Sequence, residues 1–268
     1  MNDEKLFNIY KDLCGLEELD KEKSYCVFAA LVGSRWKPGH GLAFYGRVTN
    51  GWADADGYRP HRLRGSLNEI LDFGVGTSIC RSDRKHFPLI CKECEEHPAT
   101  HWIVHRGPYG EKGRVTSYAD SLPYWNAVKC VMDPSGLKTD WHSEIMFSQL
   151  YKIAPNRWNP TEKLNRAQLE LCKEFLYHEL SKYRPRGAVF LTEVNPRADP
   201  KNWTSDCFEP FMKVLGDEVV WDETPRNPFV RRIGNLNLGD STCRIVVCVR
   251  PESLKRKELA EKIVACLD

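Results

Sequence analysis

Nowhere in these 268 residues does an apolar run approach the roughly 18 residues that a bilayer-spanning helix needs. A membrane-embedded carrier or enzyme is therefore not expected. The chain is also short of net charge: its formal balance is +2 with His neutral. That value neither demands nor excludes nucleic acid, because a local basic face can coexist with a near-neutral total. No internal repeat or low-complexity tract is visible, which removes solenoids and disordered tails from consideration. The opening Met1-Asn2-Asp3-Glu4-Lys5 is polar and acidic, unlike a secretory signal.

What is present fits one cytoplasmic globular enzyme or binding protein. Hydrophobic residues make up 41% and charged residues 28%, ordinary values for a soluble fold. The length suffices for one large core with an inserted subdomain. We expect a single domain over residues 1–268 and a monomer. The eleven cysteines are an odd number. Cys26, Cys130, Cys172, Cys243, Cys248 and Cys266 sit in apolar contexts, as buried thiols of a reducing compartment do. Eight Trp and ten Tyr supply stacking surfaces as well as core material.

Hydrophobic periodicity gives the element order. Residues 4–19 have helical spacing, with Gly15 interrupting. Cys26–Val32 reads as strand or helix. Ala43–Thr49 reads as a buried strand running into the turn Asn50-Gly51. Residues 53–116 form an irregular insertion, rich in Gly, Pro, His and Arg. A helix is expected over Ser117–Met132, a strand over 145–153, a long helix over 161–183 and a strand over 187–192. Residues 196–210 read as a loop, and 218–222 and 229–233 as edge strands. A strong strand over 243–249 stops at Arg250-Pro251, before a closing amphipathic helix over 254–267. Apolar strands alternating with helices imply an α/β fold: a three-layer α/β/α sandwich on a mainly parallel sheet. Ligands of such sheets bind at the carboxyl ends of the strands.

Three strand ends carry polar residues suited to a planar ligand attached to phosphate. They are Tyr45-Gly-Arg-Val-Thr-Asn-Gly-Trp52, Phe147 to Pro160, and Val249-Arg-Pro-Glu-Ser253. In the second, Gln149 interrupts an apolar run, Lys152 follows, and Asn156, Arg157 and Asn159 crowd the loop before a helix N-terminus. Further on come Cys172, Leu176, Arg184-Pro185 and the strand Ala188 to Thr192. This order of strand, loop, helix, Arg-Pro and strand resembles the uracil-DNA glycosylase superfamily. The likeness covers residues 43–52 and 143–192 well and 243–267 loosely.

The resemblance implies an enzyme that flips a base out of DNA, reads its edge with an amide and hydrolyses the glycosidic bond, leaving an abasic site. Gln149 stands where the family has its base-reading Asn. Val48 stands at the family's acidic position, which leaves Asn50 to position water, with Asp54 or Asp56 as a nearby carboxylate. Arg250 stands where the family has a His that stabilises the departing base. Substrate contacts are expected from Arg47, Thr49, Trp52, Tyr58, Lys152, Asn156 and Ser253. These departures from the family pattern point away from uracil, toward a non-canonical or modified base in repair or anti-phage defence. A catalytically inactive DNA-binding module of the same fold and a hydrolase of free nucleosides remain open alternatives. The family's iron–sulfur cluster is not expected, because Ile153 replaces one cysteine ligand and the N-terminal Cys-x-x-Cys is missing. Cys91-x-x-Cys94 has zinc-knuckle spacing, with Cys80 and His97 nearby. Its second half is irregular, so neither metal nor other cofactor is expected.

Overall fold

The structure is a computed structural model. It describes residues 3–19, 25–28, 30–48, 122–138, 140–155, 160–193, 208–215, 218–222, 227–251 and 255–267. The expected 53–116 insertion and most of the first site loop lie outside the described residues.

Among the described residues the strands are β1 (Tyr25–Val27), β2 (Leu31–Val32), β3 (Leu42–Val48), β4 (Ile145–Tyr151), β5 (Ile153–Pro155), β6 (Gly187–Glu193), β7 (Val219–Trp221), β8 (Val230–Asn237) and β9 (Thr242–Val249). The helices are α1 (Asp3–Cys14), α2 (Pro123–Met132), α3 (Glu162–Tyr183), α4 (Glu209–Leu215) and α5 (Arg256–Leu267). A seven-stranded mixed sheet has the order β2-β4-β3-β6-β9-β8-β7, and β1 pairs with β5 in a separate ribbon. The centre is parallel: Leu42 pairs with Gly187 and Gly187 with Arg244, then Phe44 with Val189 and Val189 with Val246. β8 and β7 continue it antiparallel. This is an α/β fold with helices flanking a sheet, compatible with a three-layer sandwich.

The chain divides into two compact units. One comprises the described residues of Met1–Leu31, Gly46–Glu96 and Ser148–Tyr183; the other comprises those of Val32–Tyr45, His97–Phe147 and Arg184–Asp268. In the first, α1 buries Leu6, Ile9, Tyr10 and Leu13, a helical stripe. The Tyr10 ring meets Phe175 of α3 edge-on at 4.5 Å, and its hydroxyl donates to Phe28 O at 2.7 Å. The α3 helix begins after Pro160, where Thr161 Oγ1 accepts from Leu164 N at 3.2 Å, an N-cap. It stops before Pro185, which cannot extend a helix, and Arg184 takes the left-handed conformation at φ 46°.

In the second unit, Tyr45 stacks on Phe190 with ring centroids 4.6 Å apart. Phe190 in turn packs on Phe208. Trp125 of α2 packs edge-on against Phe147. Two expectations need correction here. Residues 229–233 do not form an edge strand. β8 lies between β9 and β7, because its backbone pairs with β9 as far as Asn237↔Thr242, and β7 takes the edge. Its burial alternates along the strand, so its apolar signal is weaker than that of a doubly covered strand. The expected 196–210 loop gives way at Glu209 to α4, whose first turn is capped by Glu193: Oε1 accepts from Phe208 N at 2.8 Å.

Candidate functional site

β4 is buried at every position from Ile145 to Tyr151, yet it carries two polar side chains in sequence, Ser148 and Gln149. Successive residues of a strand face opposite sides of the sheet. The two therefore serve different environments, and each is explained by a different neighbour.

Gln149 packs on the adjacent strand β3. A Cβ placed on Gly46 would lie 2.4 Å from Gln149 Oε1, 3.0 Å from its amide carbon and 3.1 Å from Nε2. The carboxamide, its oxygen nearest, thus packs on Gly46, where a larger residue would have to push it aside. The side chain is 5% exposed. Its Oε1 is buried and accepts no hydrogen bond among the described residues. Burying an amide oxygen in this way costs about 1–3 kcal/mol. Native proteins satisfy the great majority of such atoms, so an exception needs an explanation.

Ser148 faces α3 instead. Lys152 Nζ donates to Ser148 Oγ at 2.6 Å and to Glu179 Oε1 at 2.9 Å. The Ser148 hydroxyl lies 2.9 Å from each Glu179 carboxylate oxygen. The ammonium also sits 4.5 Å from the centre of the Phe175 ring. Side-chain exposure is 0% for Lys152 and 1% for Glu179. Burial lowers the Lys152 ammonium below the usual lysine range, and the Glu179 carboxylate opposes that shift. Lys152 is therefore engaged in the interior, and its ammonium is turned to Glu179 rather than outward.

About three turns before Glu179 on α3, Gln168 clamps the corner between β4 and β5. Its Oε1 accepts from Lys152 N at 3.1 Å and Ile153 N at 3.0 Å, and its Nε2 donates to Ile153 O at 2.9 Å. Cys172 Sγ lies 3.4 Å from the same Oε1. Burial pushes that thiol up to about 12, so it stays protonated and hydrogen-bonding. The β4 terminus is thereby fixed to α3 by hydrogen bonds, and Gln149, three residues before Lys152, is held on a rigid strand.

Sequence reading did not single out Glu179 or Gln168. The signal was there: Gln168, Cys172, Phe175 and Glu179 recur at helical spacing on the buried face of α3. An acid on an apolar stripe calls for a buried cation, and Lys152 is that cation.

The other anticipated residues are distributed as follows. Arg47 is half-buried in β3, beside Gly46. Thr49, Asn50, Trp52, Asp54, Asp56, Tyr58, Asn156 and Ser253 lie outside the described residues, as do Cys80, Cys91, Cys94 and His97. Arg250 belongs to the second unit. Its backbone N–H donates to Glu193 O at 2.9 Å, tying the end of β9 to the end of β6. Among the described residues no group of three His, Cys, Asp or Glu side chains is arranged to hold a metal ion, and no helix is long and apolar enough to cross a membrane. No family model matches this sequence, and no curated protein matches it.

Proposed function

We propose that this protein is a DNA glycosylase that hydrolyses the N-glycosidic bond of a modified or otherwise non-canonical base flipped out of DNA. One observation carries the reading: the Gln149 carboxamide is buried, packed on Gly46, anchored on a strand locked to α3, and its acceptor oxygen has no hydrogen-bond partner among the described residues. An amide held in that way suits the edge of a flat ligand that offers an N–H donor. A site built around such a group rejects analogues that lack the matching hydrogen-bonding atom, by factors up to about 10⁴–10⁵. In this reading Asn50 positions water. Lys152 supports the strand from behind and does not touch DNA. The uncharged Val48 at the usual acidic position favours a base whose leaving ability is better than that of uracil.

The test is incubation of the protein with duplex and single-stranded DNAs carrying a panel of modified bases, followed by alkali cleavage at abasic sites. Base release that falls at least a hundredfold in Gln149→Leu supports the reading. DNA binding without base release from any member of the panel makes the protein a binding module instead. Release from free nucleosides but not from DNA makes it a nucleoside hydrolase.

A further inference from the structure

A cavity of about 790 Å³ lined by described residues opens at the N-terminal ends of β3 and β6. It is lined by the segment Ser34–Lys37, by His40 to Leu42 at the start of β3, by the end of α2, and by Arg186 just before β6. Its volume falls in the range of small-molecule sites. Along β6, whose seven residues run from Gly187 to Glu193, a rise of about 3.3 Å per residue puts it roughly 20 Å from the Glu193–Arg250 end. All of these residues lie within the second unit.

The charge of this cleft is one-sided. Four permanent cations line it, Arg35, Lys37, Lys138 and Arg186, against one carboxylate, Glu144. Glu144 is already shared: it lies 3.0 Å from Arg35 Nη2 and 2.5 Å from Lys138 Nζ. Asp140 takes Arg35 as well, at 2.5 Å. Those four groups neutralise one another. Lys37 and Arg186 have no carboxylate partner among the described residues, and His40 stands exposed beside them.

These cations sit on stitched backbone. Gly39 N donates to Arg184 O at 2.6 Å, Arg186 N to Gly41 O at 3.0 Å, and Arg244 N to Arg186 O at 2.9 Å. Gly41 N and His40 N both fold back on Lys37 O. Gly39 takes φ 79°, the left-handed turn this path needs. An aromatic ring completes the wall. Trp36 lies on Gly41 so closely that a Cβ there would come within 2.3 Å of its ring. Val131, Met132 and Leu42 add an apolar side. Two unneutralised cations, a fixed indole and an apolar wall in one cleft match a phosphate joined to a flat ring.

We propose that this cleft is a binding site for a 5′-nucleotide, with the phosphate on Lys37 and Arg186 and the base against Trp36. The ligand is either a free nucleoside monophosphate or the phosphorylated 5′ end of a strand.

Calorimetric titration of the full chain tests it with five probes: a nucleoside monophosphate, the matching nucleoside, inorganic phosphate, and a short single strand with and without its 5′-phosphate. The monophosphate is expected to bind more tightly than phosphate or nucleoside alone, and to weaken as salt is raised. Lys37→Ala and Arg186→Ala should each weaken it about tenfold, and Trp36→Phe should reduce any fluorescence quenching it causes. Both side chains replaced by alanine are exposed, so these variants should keep the wild-type melting temperature. Binding of both the monophosphate and the 5′-phosphorylated strand assigns the site to strand ends, and binding of the monophosphate alone assigns it to a free nucleotide. No binding of either, affinity unchanged in both alanine variants, or binding of both strands with the same affinity whether or not the 5′-phosphate is present overturns the proposal.

Discussion

An amide oxygen left unpartnered in the interior costs free energy that folding alone gives no reason to retain. Gln149 is held there on Gly46, and its oxygen has no hydrogen-bond partner among the described residues. Gly46→Ala should therefore displace the amide: a Cβ 2.4 Å from Oε1 has to push it aside. The expected outcome is a folded protein that loses base release about as completely as Gln149→Leu does, read by the abasic-site assay beside a circular dichroism spectrum. The Lys152–Glu179 pair behaves differently. Removing one partner leaves a buried charge, so Lys152→Met or Glu179→Gln alone should cost about 3–5 kcal/mol in urea unfolding. The double variant Lys152→Met/Glu179→Leu should recover most of that loss, since a well-packed apolar pair is often no worse than a buried ion pair. Additive losses in the double variant would mean that the two charges do not depend on each other.

At the scale of elements, what the sequence disclosed depended on how many faces of each element are covered. β4, β6 and β9 are covered on both faces and read as continuous apolar runs, so their positions came through within a residue or two. The α3 helix came through because a Thr N-cap and an Arg-Pro stop bracket it. β8 was misread as an edge, since alternating burial with charged residues at Arg231 and Arg232 resembles one. The short α4 was missed: its cap comes from Glu193, and a local window cannot see a partner fifteen residues away. The site was legible to the same degree. Gln149 announced itself as a polar residue in an apolar run, whereas Gln168 and Glu179 are polar residues hidden in a helical stripe. Gln168 makes a test of that packing. Gln168→Leu leaves the N–H groups of Lys152 and Ile153 buried without their acceptor, and should cost about 2–4 kcal/mol. Hydrogen exchange at those two amides should speed up together.

For the whole molecule, buried thiols govern the alkaline limit of stability. Burial pushes Cys172 up to about 12, and it lifts Cys243 and Cys248 well above the ordinary thiol range. The phenol of Tyr124 is raised by the same cause. An unfolded thiol loses its proton near pH 8.5. Above that pH the unfolded chain binds fewer protons than the folded one, so stability falls as pH rises. Lys152 acts in the opposite sense. Its folded ammonium is lowered, so between that lowered value and about pH 10.4 the unfolded chain binds more protons there, and this part of the stability grows with pH. Three thiols outweigh one amine, at most about 4 against about 1.4 kcal/mol per pH unit. Urea midpoints should therefore drop between pH 8.5 and 10.5, and Cys248→Ala should make that decline shallower by about a third to a half.

The central claim is that the Gln149 amide, held on Gly46, reads a base taken out of DNA. The most direct measurement compares wild type, Gln149→Leu and Gln149→Asn on DNAs carrying modified bases, scoring alkali-labile abasic sites. We predict release of at least one modified base by the wild type and a loss of at least about a hundredfold in Gln149→Leu. Gln149→Asn should shift preference among bases, because its amide reaches one methylene less far. Base release that Gln149→Leu leaves intact would contradict the account.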